Sequence, residues 1–217
     1  MIQLADAILA IVLLSVLLSL GSNRLMALVK IMALQGIMVS ITPLFLEHHQ
    51  DLEGSALLLF QVMILIKGLL IPGFLFMAVK KVSIQREIEP IIGYHASIFT
   101  GLVLILLSAF ITDKLHLSMP GDHALLLITA ITTLAAGLFL MMSRRKAITQ
   151  VIGYLMMENG IYLIGTALAK QTHTMYIVEF GVLLDLLVAV MIMGIILHNI
   201  NSAFDDVDTA LLDQLKD

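Results

Sequence analysis

Three ionisable side chains stand where the surrounding sequence is almost wholly apolar: Lys67, Glu158 and Asp185. Each lies within a run long enough to cross a bilayer, where one charge costs ~2.5–3.5 kcal/mol on insertion scales. Lys67 falls at the middle of the third such run, Glu158 at the middle of the sixth, and Asp185 close to the middle of the seventh. At 1.5 Å rise per residue, the three come within roughly 5 Å of one depth. An ammonium and two carboxylates at one level are the parts of a relay for protons or small cations. Gln35, in the middle of the second run, extends the set, and so does Asn159 in the triplet Glu158-Asn159-Gly160. Gln61 precedes Lys67 by six residues, and Glu179 precedes Asp185 by the same spacing. Six residues span ~9 Å and about 120° of helix, so each pair lines a broad face rather than one stripe. The expectation is a midplane proton or sodium path through Glu158, Asp185 and Lys67, lined by Gln35, Gln61 and Asn159. Glu179 is its secondary site near the exit. The structural alternative is a lysine–carboxylate pair that only fixes helix packing, with Glu179 snorkelling to water.

Helices must position these residues. Hydrophobic residues make up 60% of the 217 and charged residues 13%, against about 25% charged in ordinary globular chains. That much apolar surface needs lipid as its solvent. Runs of roughly 20 apolar residues recur at 2–20, 25–46, 56–79, 94–112, 122–142, 147–169 and 175–199. The runs do not alternate in ten-residue segments, which excludes a barrel and leaves an all-α integral membrane fold of seven transmembrane helices. No connection is long enough for a soluble domain. The chain divides into helices 1–4 (1–112), helices 5–7 (113–200) and an acidic tail (201–217).

Arg24, Lys80, Lys81, Arg86, Arg144, Arg145 and Lys146 fall in the first, third and fifth connections, whereas the even ones carry only Lys114 and Lys170. The positive-inside rule then places the N-terminus outside and the C-terminus in the cytoplasm. His48, His49, His116, His123 and His173 face outward in that arrangement. Ser19-Leu20-Gly21 resembles a signal-peptide cleavage site, but no Lys or Arg precedes so long an apolar run, and the first span is expected to be retained.

Other chemistries find little support. A net charge of −4 gives no footprint for nucleic acid. Without cysteine the chain cannot hold thiolate zinc or a cysteine-ligated cluster. His95 and His198 stand at one membrane edge and could bracket a haem, but such edge histidines are more often interfacial. The His48-His49 pair lacks a partner at metal-ligand spacing, and the fourteen methionines are scattered packing positions. A stand-alone transporter would want a pair of Gly/Pro-broken spans marking a binding site, and the interruption expected to matter is that of the third span at Pro72, with Gly68 and Gly73. In the tail, Phe204, Val207, Leu211 and Leu215 form one apolar stripe among Asp205, Asp206, Asp208 and Asp213. An acidic amphipathic helix is repelled by an anionic leaflet, so the stripe is expected to dock on a neighbouring subunit.

Met32-Ala33-Leu34-Gln35-Gly36 echoes Met156-Met157-Glu158-Asn159-Gly160, and the six-residue spacings of the third and seventh spans match. These echoes predict a parallel 3+1+3 repeat joined by helix 4.

The segments Ile66-Lys67-Gly68-Leu69-Leu70-Ile71-Pro72, Ile152-Gly153-Tyr154-Leu155-Met156-Met157-Glu158-Asn159-Gly160 and Val178-Glu179-Phe180-Gly181-Val182-Leu183-Leu184-Asp185 carry a family resemblance over nearly the whole chain. It resembles component E of the hydrogenase-4 type, a membrane subunit of energy-converting hydrogenase and formate hydrogenlyase complexes. Helices 5–7 are similar to the K subunit of respiratory complex I and the C subunit of multisubunit cation/proton antiporters. Asp185 stands in the place of the second intramembrane glutamate of those relatives. Leu155 stands in the place of the first, with Glu158 three residues later on nearly the same helical face. The resemblance implies a non-catalytic subunit, without a cofactor of its own, in the inner membrane of a prokaryote. Its implied partners are antiporter-like and other membrane subunits and, through them, a peripheral redox arm.

Overall fold

The computed structural model describes residues 2–46, 61–81, 91–115, 124–168 and 188–194. These residues are helical with short turns, and no strand occurs among them. We number the helices α1 (Ile2–Gly21), α2 (Leu25–Leu46), α3 (residues 61–81), α4 (Tyr94–Leu115), α5 (Ala124–Ser143) and α6 (Ala147–Leu168). All six are long and apolar enough to cross a membrane. They coincide with the first six expected spans. Residues 188–194 are helical inside the seventh. The remainder of that span, with Glu179 and Asp185, lies outside the described residues, as do the five outward histidines, His198 and the tail.

In hydrocarbon every backbone group must find its partner within the segment, which leaves these runs no alternative to helix. Their hydroxyls follow the same logic. Ser40, Thr100, Thr112, Thr129, Thr133 and Thr166 each donate to the carbonyl four residues earlier, which satisfies these O–H groups within their own helices. The helix ends fall at Gly21-Ser22-Asn23 and at Ser143-Arg144-Arg145, where the apolar runs stop.

The packing inverts the soluble pattern. Helix α4 presents Phe99, Leu106 and Phe110 outward while burying Ser97, Gly101 and Ser108. A Cβ at Gly101 would come within 2.7 Å of Leu20 on α1, so the helices approach through small residues, as they do where lipid rather than water is outside. The tightest seam joins α5 and α6. A Cβ on Gly137 would lie 2.7 Å from the Gly153 carbonyl oxygen, and one on Gly160 would lie 2.7 Å from the Cα of Leu134.

The helices alternate in direction, which gathers the ends of α1, α3 and α5, with Arg24, Lys80, Arg144, Arg145 and Lys146, at one end of the bundle. Arg144 ties that end together. Though only 1% exposed, its guanidinium donates from Nη2 to the Leu20 carbonyl (2.9 Å) and from Nη1 to the Ile92 carbonyl (3.3 Å). It also stacks 4.4 Å from the centre of the Tyr94 ring. Leu20 sits in the last turn of α1, where orphan carbonyls and the helix dipole both favour a cation. The Ile91 N–H donating to the Ser143 carbonyl (3.0 Å) closes the same junction. Arg144→Ala is expected to cost about 3 kcal/mol, the sum of lost charge-assisted bonds and the cation–π contact. Arg144→Lys should recover only part, since an ammonium lacks the fork that reaches both carbonyls. Thermal unfolding of the detergent-solubilised chain measures both.

Two apolar clusters fill the interior. One lies toward the basic end and includes Leu20, Leu28, Met32, Ile71, Leu75, Leu140 and Leu155. The other lies toward the opposite end and includes Leu9, Val12, Val39, Met63, Leu126 and Tyr162. Of the polar residues singled out by the sequence, Gln35, Lys67, Glu158 and Asn159 fall at the boundary between them.

Candidate functional site

Lys67 is delivered by an irregularity in α3. Pro72 carries no N–H, and in a regular helix its ring would collide with the carbonyl of Gly68. The helix widens one turn earlier: Ile66–Leu70 forms a single π-helical turn, closed by the Ile71 N–H donating to the Ile66 carbonyl. Turns of this kind occur mostly as isolated bulges and are frequent at functional sites. Lys67 is the buried residue of the turn. Two glycines admit the wide turn against α2. A Cβ at Gly36 would lie 3.0 Å from the Lys67 carbonyl oxygen, and one at Gly68 would lie 2.7 Å from the Ile37 side chain.

Helix α6 supplies the other half. The Lys67 ammonium forms a buried ion pair with the Glu158 carboxylate through Oε1 and donates a second bond, 3.2 Å long, to Asn159 Oδ1. Lys67 is 5% exposed, Glu158 1% and Asn159 2%. Tyr162, one helical turn beyond Glu158, places its ring centre 5.9 Å from the ammonium nitrogen. Desolvating two charges costs several kcal/mol per ion, which an ion pair repays only with good geometry and further hydrogen bonds. The Asn159 amide is such a bond. It holds the lysine on a face that Glu158 alone would not fix.

The structure thus brings together Lys67, Glu158 and Asn159 from the expected set. Gln35 is fully buried on α2, one residue before the Gly36 contact, and neither its Oε1 nor its Nε2 has a hydrogen-bond partner among the described residues. Gln61 stands apart, exposed at the first described residue of α3. Glu179 and Asp185 lie outside the described residues. His95, a candidate haem ligand, is exposed at the start of α4. Sequence reading missed Tyr162, whose signal was its position four residues after Glu158. It also missed the π turn, announced by proline four residues after glycine.

Fold and site together define a multi-pass helical membrane protein with an ammonium–carboxylate pair buried between its helices. The chain is 30% identical over 194 residues to the uncharacterized protein Rv0085 of Mycobacterium tuberculosis, covering 89% of this chain and 87% of that protein. It belongs to the same family. It is also 27% identical over 150 residues to Hydrogenase-4 component E of Escherichia coli K12, covering 69% of this chain and 68% of the relative, which supports a more distant relationship. The same identity and coverage are found with Hydrogenase-4 component E of Shigella flexneri. No family model and no solved structure matches the chain.

Proposed function

We propose that the chain is a membrane subunit of a multisubunit, hydrogenase-type redox complex, and that Lys67, Glu158 and Asn159 form part of its intramembrane path for protons or sodium ions. The observation that carries this reading is the buried Lys67–Glu158 pair at the boundary between two apolar clusters. The similarity to Hydrogenase-4 component E supplies the kind of complex.

The charge arithmetic explains how such a pair works. With both groups ionised the pair is neutral overall, which costs less in a low-dielectric interior than a state that carries net charge. A proton added to Glu158, or removed from Lys67, leaves one uncompensated charge, so the altered state is costly and the change must be passed on. Asn159 can hold the ammonium while the carboxylate is protonated. Asp185, at the same expected depth in the seventh span, is the next group in line, with Gln35 and Gln61 beside the route and Glu179 toward the exit. Helices 5–7 serve as the unit like the complex I K subunit, and the N-terminus faces outward with the basic end in the cytoplasm. The acidic tail docks on a neighbouring subunit.

Affinity purification in mild detergent tests the assignment to a complex. The tagged chain should bring down large antiporter-like membrane subunits and a peripheral redox module in fixed ratio. Recovery of the chain alone, active in moving ions by itself in proteoliposomes, would instead identify a free-standing transporter.

A further inference from the structure

The ion pair is not walled off equally on its two sides. A cavity adjoins it, bounded by Met32 and Gly36 of α2, Lys67 and Leu75 of α3, and Leu155 and Asn159 of α6. Its space for a water centre is ≈ 10 Å³, about one molecule. The direction in which it extends follows from the helix directions. Helices α2 and α6 leave the basic end and α3 returns to it. Met32 therefore lies one turn nearer that end than Gly36, Leu155 one turn nearer than Asn159, and Leu75 two turns nearer than Lys67. Every wall residue other than those at the level of the pair is thus displaced toward Arg24, Lys80 and Arg145. On the opposite side the neighbours are Val39, Met63, Tyr162 and Leu163, each at most 4% exposed and packed in one apolar cluster.

Polar groups make the cavity hospitable to water. Lys67 and Asn159 are among its wall residues, and a water needs two to four polar partners. The buried Gln35 amide, next to Gly36, has neither end satisfied among the described residues, and buried amides are almost always satisfied by protein or by ordered water.

We propose that the cavity is a one-sided water site, by which the Lys67–Glu158–Asn159 cluster communicates with the basic end of the bundle, and that Val39, Met63, Tyr162 and Leu163 form a dry barrier toward the other end. The inference deepens the proposed ion path and rests on it for its purpose. Water access is nevertheless read without any pumping, so each can fail while the other stands.

The absence of cysteine from the chain makes the test clean. Single cysteines are placed at Met32, Leu75, Val39 and Met63, with Arg145→Cys, exposed at the basic end, as the marker of vesicle sidedness. Silver ion, small enough to follow water, is added to vesicles of either orientation, and unreacted thiol is then counted with a maleimide after denaturation. Met32→Cys and Leu75→Cys should react from the face that exposes Arg145→Cys. Met63→Cys and Val39→Cys should react about a hundredfold more slowly from either face, the penalty for bringing an ion into dry hydrocarbon. Adding Leu75→Phe, one turn nearer the basic end, should slow silver at Met32→Cys by narrowing the cavity ahead of it. Equal rates at all four positions overturn the proposal, as does protection of Met32→Cys and Leu75→Cys in chains whose Arg145→Cys reacts. The face on which Arg145→Cys reacts also reports the orientation of the chain.

Discussion

Glu158→Leu is expected to be severe, and Lys67→Met combined with Glu158→Leu to be mild. The single change leaves the Lys67 ammonium buried beside Asn159 with its carboxylate gone, and breaking a buried pair in this way costs about 3–5 kcal/mol. The double change replaces both charges with apolar side chains of similar volume, which is often neutral or even stabilising. Its packing should hold, because Met32, Ile71 and Leu155 already surround the site with apolar groups. Unfolding of the purified chain in a denaturing-detergent titration, followed by circular dichroism, separates the two variants. If Glu158→Leu is as stable as the parent, the pair contributes nothing to the bundle and the geometry of the site has been misjudged.

The second large effect lies in the α5–α6 seam. Gly137→Ala would place a methyl group against the Met157 backbone nitrogen and 2.7 Å from the Gly153 carbonyl oxygen, and Gly160→Ala would press on the Leu134 backbone. Backbone cannot swing aside as a flexible side chain does, so the helices must part. Overpacking of this kind costs about 1–3 kcal/mol for each change. The double variant should lose less than the sum, because once the seam opens the second methyl finds room. Displacement also carries Glu158, next to Met157, away from Lys67, so Gly137→Ala should impair ion movement even where the chain still folds. Gly73→Ala is the control. Among the described residues no neighbouring helix comes within 4 Å of its Cβ position, and alanine in a helix is favoured over glycine by about 0.5–1 kcal/mol. The same detergent titration should show Gly73→Ala at or above the parent and both seam variants below it.

The fold was written in the sequence more fully than the site. Spans of 20 apolar residues have one solution in lipid, so helices α1 to α6 follow from length and hydropathy alone, and the Lys/Arg asymmetry marks which ends lie together. Lys67 and Glu158 stood out because a charge among leucines is rare enough to need an explanation. A lysine–carboxylate pair was one of the readings, but that Glu158 rather than Asp185 is placed against Lys67 could not be read. Pairing depends on the rotation of α3, and the π turn changes that rotation by an amount no periodicity reports. The burial of Arg144 was hidden for a related reason. A basic residue in a connection looks solvated until its guanidinium is seen to reach the carbonyl end of α1 and the turn that precedes α4. Gln61 shows the converse: spaced six residues from Lys67, it lies on an exposed face, because a separation of about 120° is enough to turn a helix from its neighbour to its surroundings.

A Lys67–Glu158 pair that moves charge as well as holding helices together has two roles, and the double variant Lys67→Met with Glu158→Leu separates them. The decisive measurement is redox-driven proton or sodium uptake by the whole complex in proteoliposomes, made with this variant after its assembly has been verified by subunit ratio. The expected result is a complex that assembles and turns over its redox substrates but has lost most of its coupled ion uptake. Undiminished uptake in the assembled double variant would contradict it and leave the pair as packing alone.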